Sequence, residues 1–136
     1  MVEISKEVFE IVNKPGRVAV LGTADKTGQS NIAYFGSLNL TEDGTVILGL
    51  GNNRSLKNLR ENSKAVLFCV AEIPVTFGTA GYRLYLNARE IQDEGGLYDT
   101  VTGAIAKHSG KEAAKTIVAA VAFDVTEVRG LIDWQG

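Results

Sequence analysis

Residues 17–51 read RVAVLGTADKTGQSNIAYFGSLNLTEDGTVILGLG, and the way this stretch divides decides the fold. RVAVLGTA is a short apolar run rich in β-branched residues, and the ADKTGQ around its end has turn composition. SNIAYFGSLNL alternates, with Ile32, Tyr34, Leu38 and Leu40 on one side and Asn31, Ser37 and Asn39 on the other. TEDG makes a second turn before TVILGLG. Three strands joined by tight, hairpin-like connections follow from this reading.

Outward from that core the pattern continues. Upstream, SKEVFEIVNK places Ile4, Val8, Ile11 and Val12 at helical spacing, with Ser5 as a cap and Pro15-Gly16 as a stop. Downstream, a short helix is expected at about 53–62, then the strand KAVLFCVA and the loop EIPVTFGTAG. YRLYLNAREI alternates again, with Tyr82, Leu84, Leu86 and Ala88 facing one way. A helix at about 96–108 shares Leu97, Val101, Ala104 and Ile105 on one face, and KEAAK also reads as helix. TIVAAVAFDVTEV closes the series as a strand, with Ile117, Ala119, Val121, Phe123 and Val125 alternating. Six strands and three helices predict a mainly β (α+β) chain, a small antiparallel barrel whose ends or gaps the helices cover. Gly22, Gly36 and Gly49 are expected to face inward, where strands curve tightly.

Composition narrows the function classes. A chain of 136 residues, without repeats or a linker, is expected to form a single domain over residues 1–136. Its 14 basic and 16 acidic side chains give a net charge of -2, which argues against nucleic-acid binding. Cys69 is the one cysteine, so no intrachain disulfide forms, and a buried thiol suits a reducing compartment. The N-terminus does not have the pattern of a signal peptide, and no apolar stretch approaches the roughly 18 residues of a membrane span. A cytoplasmic location is expected. One histidine, His108, and one cysteine provide no metal cluster, and no GxSxG supports a serine hydrolase. His108 lies at a helix end, where a surface or capping role is expected.

The segment GLGNNRSLKNL, residues 49–59, carries the chemistry. With Asn53 as N-cap, Arg54, Ser55 and Leu56 open a helix, and their amides lack intrahelical acceptors. An anion there meets those amides, the helix dipole and the Ser55 hydroxyl. Arg54 can add a bidentate contact and Lys57 a point charge. Basic residues at a helix start also suit a hydrated face, so Lys57 and Arg60 are compatible with both readings. One strand earlier, Ala33, Gly36 and Ser37 leave main-chain groups open to a flat ring system, with Phe35 able to cover a face. A strand kink or bulge at Gly36-Ser37 accounts for the same residues.

The ordered set RVAVLGTAD, SNIAYFGSLNL, TVILGLG, NNRSLKNLREN and KAVLFCVAE resembles the FMN-binding split-barrel family, the pyridoxamine 5′-phosphate oxidase-like proteins, and especially their short FMN-binding members. The resemblance is best over residues 17–72 and looser over 81–128. It implies a six-stranded antiparallel split barrel and a homodimer with FMN at the subunit interface. By the same resemblance Arg54 and Ser55 hold the FMN phosphate, supported by Asn53, Lys57 and Asn58. Ala33, Tyr34, Phe35, Gly36 and Ser37 bind the isoalloxazine edge through main chain. Thr76–Gly81 and Trp134 of the second subunit become candidates for covering the flavin.

The full-length oxidases bind substrate phosphate with basic and histidine residues that have no evident match here, so no catalytic residue is assigned. The expected function is that of an FMN-dependent oxidoreductase of unknown substrate, with a reduced nicotinamide as possible donor. The alternative is a non-catalytic FMN-binding electron carrier or flavin store. No GxGxxG opens a helix to fix a nicotinamide site.

Overall fold

The computed structural model describes residues 2–132, and Trp134 lies outside them. The chain runs α1 (Lys6–Val12), β1 (Val18–Ala24), β2 (Ser30–Tyr34), β3 (Asn39–Leu40), β4 (Thr45–Leu50), α2 (Arg54–Glu61) and β5 (Lys64–Val70). It continues through β6 (Gly81–Gln92), α3 (Gly96–Ser109), α4 (Lys111–Lys115) and β7 (Ala119–Gly130). All the strand pairings are antiparallel, in the order β2-β1-β5-β6-β7-β4-β3. The sheet curls into a split barrel around a core that includes Leu21, Leu48, Leu67, Leu84 and Phe123. Register shifts in the β6–β7 ladder near Tyr85/Leu86 and Ala88/Glu90 mark bulges, which bend long strands.

The described residues form seven strands where the sequence pattern suggested six, because residues 30–40 do not form one strand. β2 follows β1 as far as Tyr34, one further bond joins the Phe35 amide to the Ala19 carbonyl, and the chain then crosses to pair with β4. Side chains from the α1–β1 connection hold the crossing. The Arg17 guanidinium donates from Nε to the Val12 carbonyl at 2.7 Å and from its terminal nitrogens to those of Gly36 at 3.2 Å and Leu38 at 2.9 Å. Asn13 donates to the Leu40 carbonyl and accepts from the Leu40 amide, both at 2.8 Å. These contacts replace ladder bonds that β2 and β3 do not make there. The break also separates the apolar set read as one face: Leu38 and Leu40 are buried, while Ile32 is 72% and Tyr34 65% exposed.

The glycines expected to face the interior do not. Gly22 pairs with Val66 and Ile32, outside the core. Gly36 lies in the exposed crossing. Gly49 faces α3, where an added Cβ would come within 2.9 Å of both Ile105 and Val101. Val101 and Ile105 pack with Ala120 in a second cluster, so β7 is covered on both faces and Ala119 to Phe123 are all buried. That explains why alternation was a poor guide to this strand.

Candidate functional site

Local chemistry builds α2 as its sequence suggests. Asn53 is extended and its Oδ1 accepts from the Leu56 amide at 2.9 Å, while Leu56 and Leu59 are buried. The amides of Arg54 and Ser55 precede any possible intrahelical acceptor. No acidic residue stands in the first turn. Arg54 is exposed and has no ion pair among the described residues. A cation at this end opposes the helix dipole, which favours anions there and cations at the C-terminus. Ser55 is buried at 2% exposure, within the same turn.

The helix is held against the β1–β2 hairpin. Asn58 Nδ2 donates to Thr23 Oγ1 at 3.0 Å, both residues being buried, and the Lys26 amide donates to Glu61 Oε1 at 3.2 Å. With Glu61 at the hairpin turn and Asn58 at Thr23, the N-terminus of α2 extends toward Leu21 and its partner Ala33. Ala33 and Phe35 lie on the half-buried side of β2, and Gly36 and Ser37 are exposed just beyond. The α2 helix thus lies along the β1–β2 hairpin, fixed at Asn58 and Glu61.

The candidate residues divide by role. Asn53 is the cap, and Arg54 and Ser55 carry the open amides. Asn58 is turned to Thr23 and anchors the helix rather than reaching out. Lys57 lies 4.0 Å from Glu61, one turn further on. The Tyr34 side chain lies on the opposite face of β2 from Ala33 and Phe35, with its hydroxyl over Gly36, so this residue can meet a ligand on the inner side through main chain only. The loop residues Thr76–Gly81 form, with Phe68 and Tyr82, the wall of a separate open cavity. His108 is exposed at the end of α3.

Sequence reasoning missed Arg17, the one buried charged side chain among the described residues. A basic residue after Pro15-Gly16 reads as solvent-facing, and nothing in its neighbours reveals carbonyls nineteen and twenty-one positions away. Its charge reaches Cys69, where it partly offsets the upward push that burial gives the thiol pKa. No group of three or more potential metal ligands occurs among the described residues. None of the described helices is long and apolar enough to cross a membrane.

The sequence matches the pyridoxamine 5′-phosphate oxidase family over residues 4–131. The chain belongs to this family. No protein of curated function matches the sequence. Among solved structures, an FMN-binding protein from Syntrophomonas wolfei is similar at 19% identity, over 96% of this chain and 87% of that one, with a TM-score of 0.82. HupZ from Group A Streptococcus is 25% identical over 95% of this chain and 94% of its own, with a TM-score of 0.78. HutZ, a heme storage protein of Vibrio cholerae, is 15% identical over 95% of each chain, with a TM-score of 0.66. The shared split barrel therefore accompanies ligands of different kinds, and fold alone does not choose between them.

Proposed function

We propose that this protein is a cytoplasmic FMN-binding oxidoreductase that works as a homodimer. The observation that carries the reading is the first turn of α2. It presents amides without intrahelical acceptors, the buried Ser55, and an Arg54 that makes no ion pair among the described residues, at the positive end of a helix. A flavin phosphate fits this turn because it relieves the unfavourable placement of Arg54 and satisfies amides that the helix cannot. The isoalloxazine edge then lies along main chain at Ala33 to Ser37, where the crossing leaves β1 and exposes backbone. Bound flavin would supply the electron-transfer chemistry, and the chain's part is to hold and orient it.

The dimer reading rests on the outer face of β1, β2 and β5. Cross-strand rows Ile32–Gly22–Val66 and Tyr34–Val20–Phe68 form an apolar surface on which Ile32, Tyr34 and Phe68 are 72%, 65% and 38% exposed. Exposed apolar surface of this continuity marks an association site. A second copy would cover it and bring its own 72–80 loop within reach.

The purified protein is expected to show flavin absorption bands, either as isolated or after FMN is added, with FMN as the released chromophore. A colourless protein that takes up no FMN would reject the flavin reading. With flavin in place, NADH or NADPH oxidation coupled to an acceptor identifies the oxidoreductase. Flavin that is bound but never reduced by either donor favours the store or carrier.

A further inference from the structure

The open cavity beside the 72–80 loop has a volume of about 940 Å³, and its walls come from α1, the β5–β6 connection and the end of β7. Among the described residues eight large apolar side chains are exposed, and four of them, Phe68, Val75, Phe77 and Ile132, line this one cavity. Exposed apolar groups scattered singly are ordinary, whereas a cluster around a concavity marks a surface that something covers. Phe77 is 89% exposed, yet the loop that carries it is firmly built. The Thr76 amide donates to Thr79 Oγ1 at 2.8 Å, the Gly78 amide to Thr76 Oγ1 at 3.2 Å and the Thr79 amide to the Thr76 carbonyl at 3.1 Å. The Ala71 amide closes the root on the Ala80 carbonyl at 2.9 Å. Polar groups thus hold the loop, and its two large apolar side chains are left to meet another segment.

The chain leaves β7 at this cavity. Gly130 pairs with Tyr82, and its carbonyl accepts from Arg83 Nε at 2.9 Å. Leu131 then sits against Gly81, where an added Cβ would come within 2.9 Å of its side chain. Ile132 follows in the cavity wall. Trp134, outside the described residues, is two positions further on, and two residues span at most about 7 Å. Its indole therefore has the cavity within reach, and pockets of roughly 300–1,000 Å³ hold molecules larger than an indole. The indole is apolar except for one N–H donor. Glu7, in the wall, offers the acceptor: its carboxylate accepts from the Tyr82 hydroxyl and has further lone pairs to spare.

We propose that the segment after Ile132 folds back on its own chain, with Trp134 seated in this cavity against Phe77 and Val75 and its N–H directed to Glu7. So short a link keeps the indole at high effective concentration, which favours it over a separate partner. Seated there, it ties the 72–80 loop to the end of β7. The inference does not rest on the flavin reading.

Trp134 is the protein's one tryptophan, so its fluorescence reports the site without labelling. Emission and acrylamide quenching are measured on the full chain, first freed of any flavin and then with FMN added. Without FMN, emission to the blue of the urea-unfolded protein and weaker quenching are expected. Phe77→Ala is expected to shift the docked-to-free ratio roughly two- to tenfold toward the free indole, the loss of one aromatic pair. Val118→Ala, also exposed but outside the cavity, leaves both signals unchanged. Unchanged circular dichroism shows that each variant is folded. Ile32→Glu protein, at the dilution where it sediments as a single chain, is expected to protect Trp134 equally. An indole as accessible as in urea overturns the proposal, and so does protection indifferent to both Phe77→Ala and Val75→Ala. Protection lost in the single chain assigns the indole to a second copy, and protection seen only with FMN assigns it to the flavin; either result overturns docking on its own chain.

Discussion

Two arginines show how one residue type serves opposite ends. Arg17 is buried and each of its three nitrogens donates to a main-chain carbonyl, of Val12, Gly36 and Leu38, so it shapes the backbone. Arg54 is exposed, unpaired among the described residues and set against the helix dipole. Only the second gains when an anion arrives. Arg54→Ala is expected to cost FMN about 1.5–3 kcal/mol, one to two orders of magnitude in Kd, read from quenching of flavin fluorescence. Riboflavin has no phosphate, so its weaker binding should not change with the substitution. Equal losses for the two ligands would place Arg54 away from the phosphate. Because Arg54 makes no ion pair among the described residues and stands against the helix dipole, thermal stability without flavin should not fall.

At the scale of elements, α2 functions only because something fixes its direction. The Asn58–Thr23 bond is internal to the site's support and touches no ligand. Thr23→Val keeps the shape but removes the acceptor, leaving the Asn58 amide without it in a buried place. A loss of about 1–3 kcal/mol in urea unfolding is expected, with Thr23→Ser retaining most of the stability. An unchanged midpoint for Thr23→Val would mean that the helix is anchored by Leu56 and Leu59 alone. Elements of this kind were legible in the sequence. The Asn53 and Ser5 caps and the spacing of Leu56 and Leu59 are local signals, and both caps form as read. The crossing at 35–38 was not legible, since Arg17 and Asn13 create it from outside the segment's own pattern. Alternation assigned Ile32 and Tyr34 to the same face as Leu38 and Leu40, because period-two reasoning assumes that a strand stays in one ladder. The composition of the α2 terminus was legible, but the cavity beside the 72–80 loop depends on α1, the β5–β6 connection and the end of β7, brought together by the fold.

For the whole molecule, the crossing has a topological consequence. β2 and β3 are the two ends of the sheet order, yet they are consecutive in the chain, so the four residues between them span the split and tie its edges. Among the described residues β2 pairs only with β1, so the split leaves its other edge open, while the outward apolar side chains of Ile32, Tyr34 and Phe68 offer a face-on surface. Gly22 lies between Ile32 and Val66 on this face and adds no side chain to it. We expect sedimentation at twice the chain mass for the unaltered protein. Ile32→Glu and Phe68→Glu each place a charge on the surface to be buried, where an unpaired ion costs several kcal/mol, and each should shift the equilibrium to monomer. Both positions are exposed in the single chain, so circular dichroism should remain that of the folded protein. If the dimer holds the flavin, FMN affinity falls with dissociation although Arg54 is intact. Retained FMN affinity in a monomeric Phe68→Glu protein would show that one chain suffices for the cofactor and that the apolar face serves assembly alone.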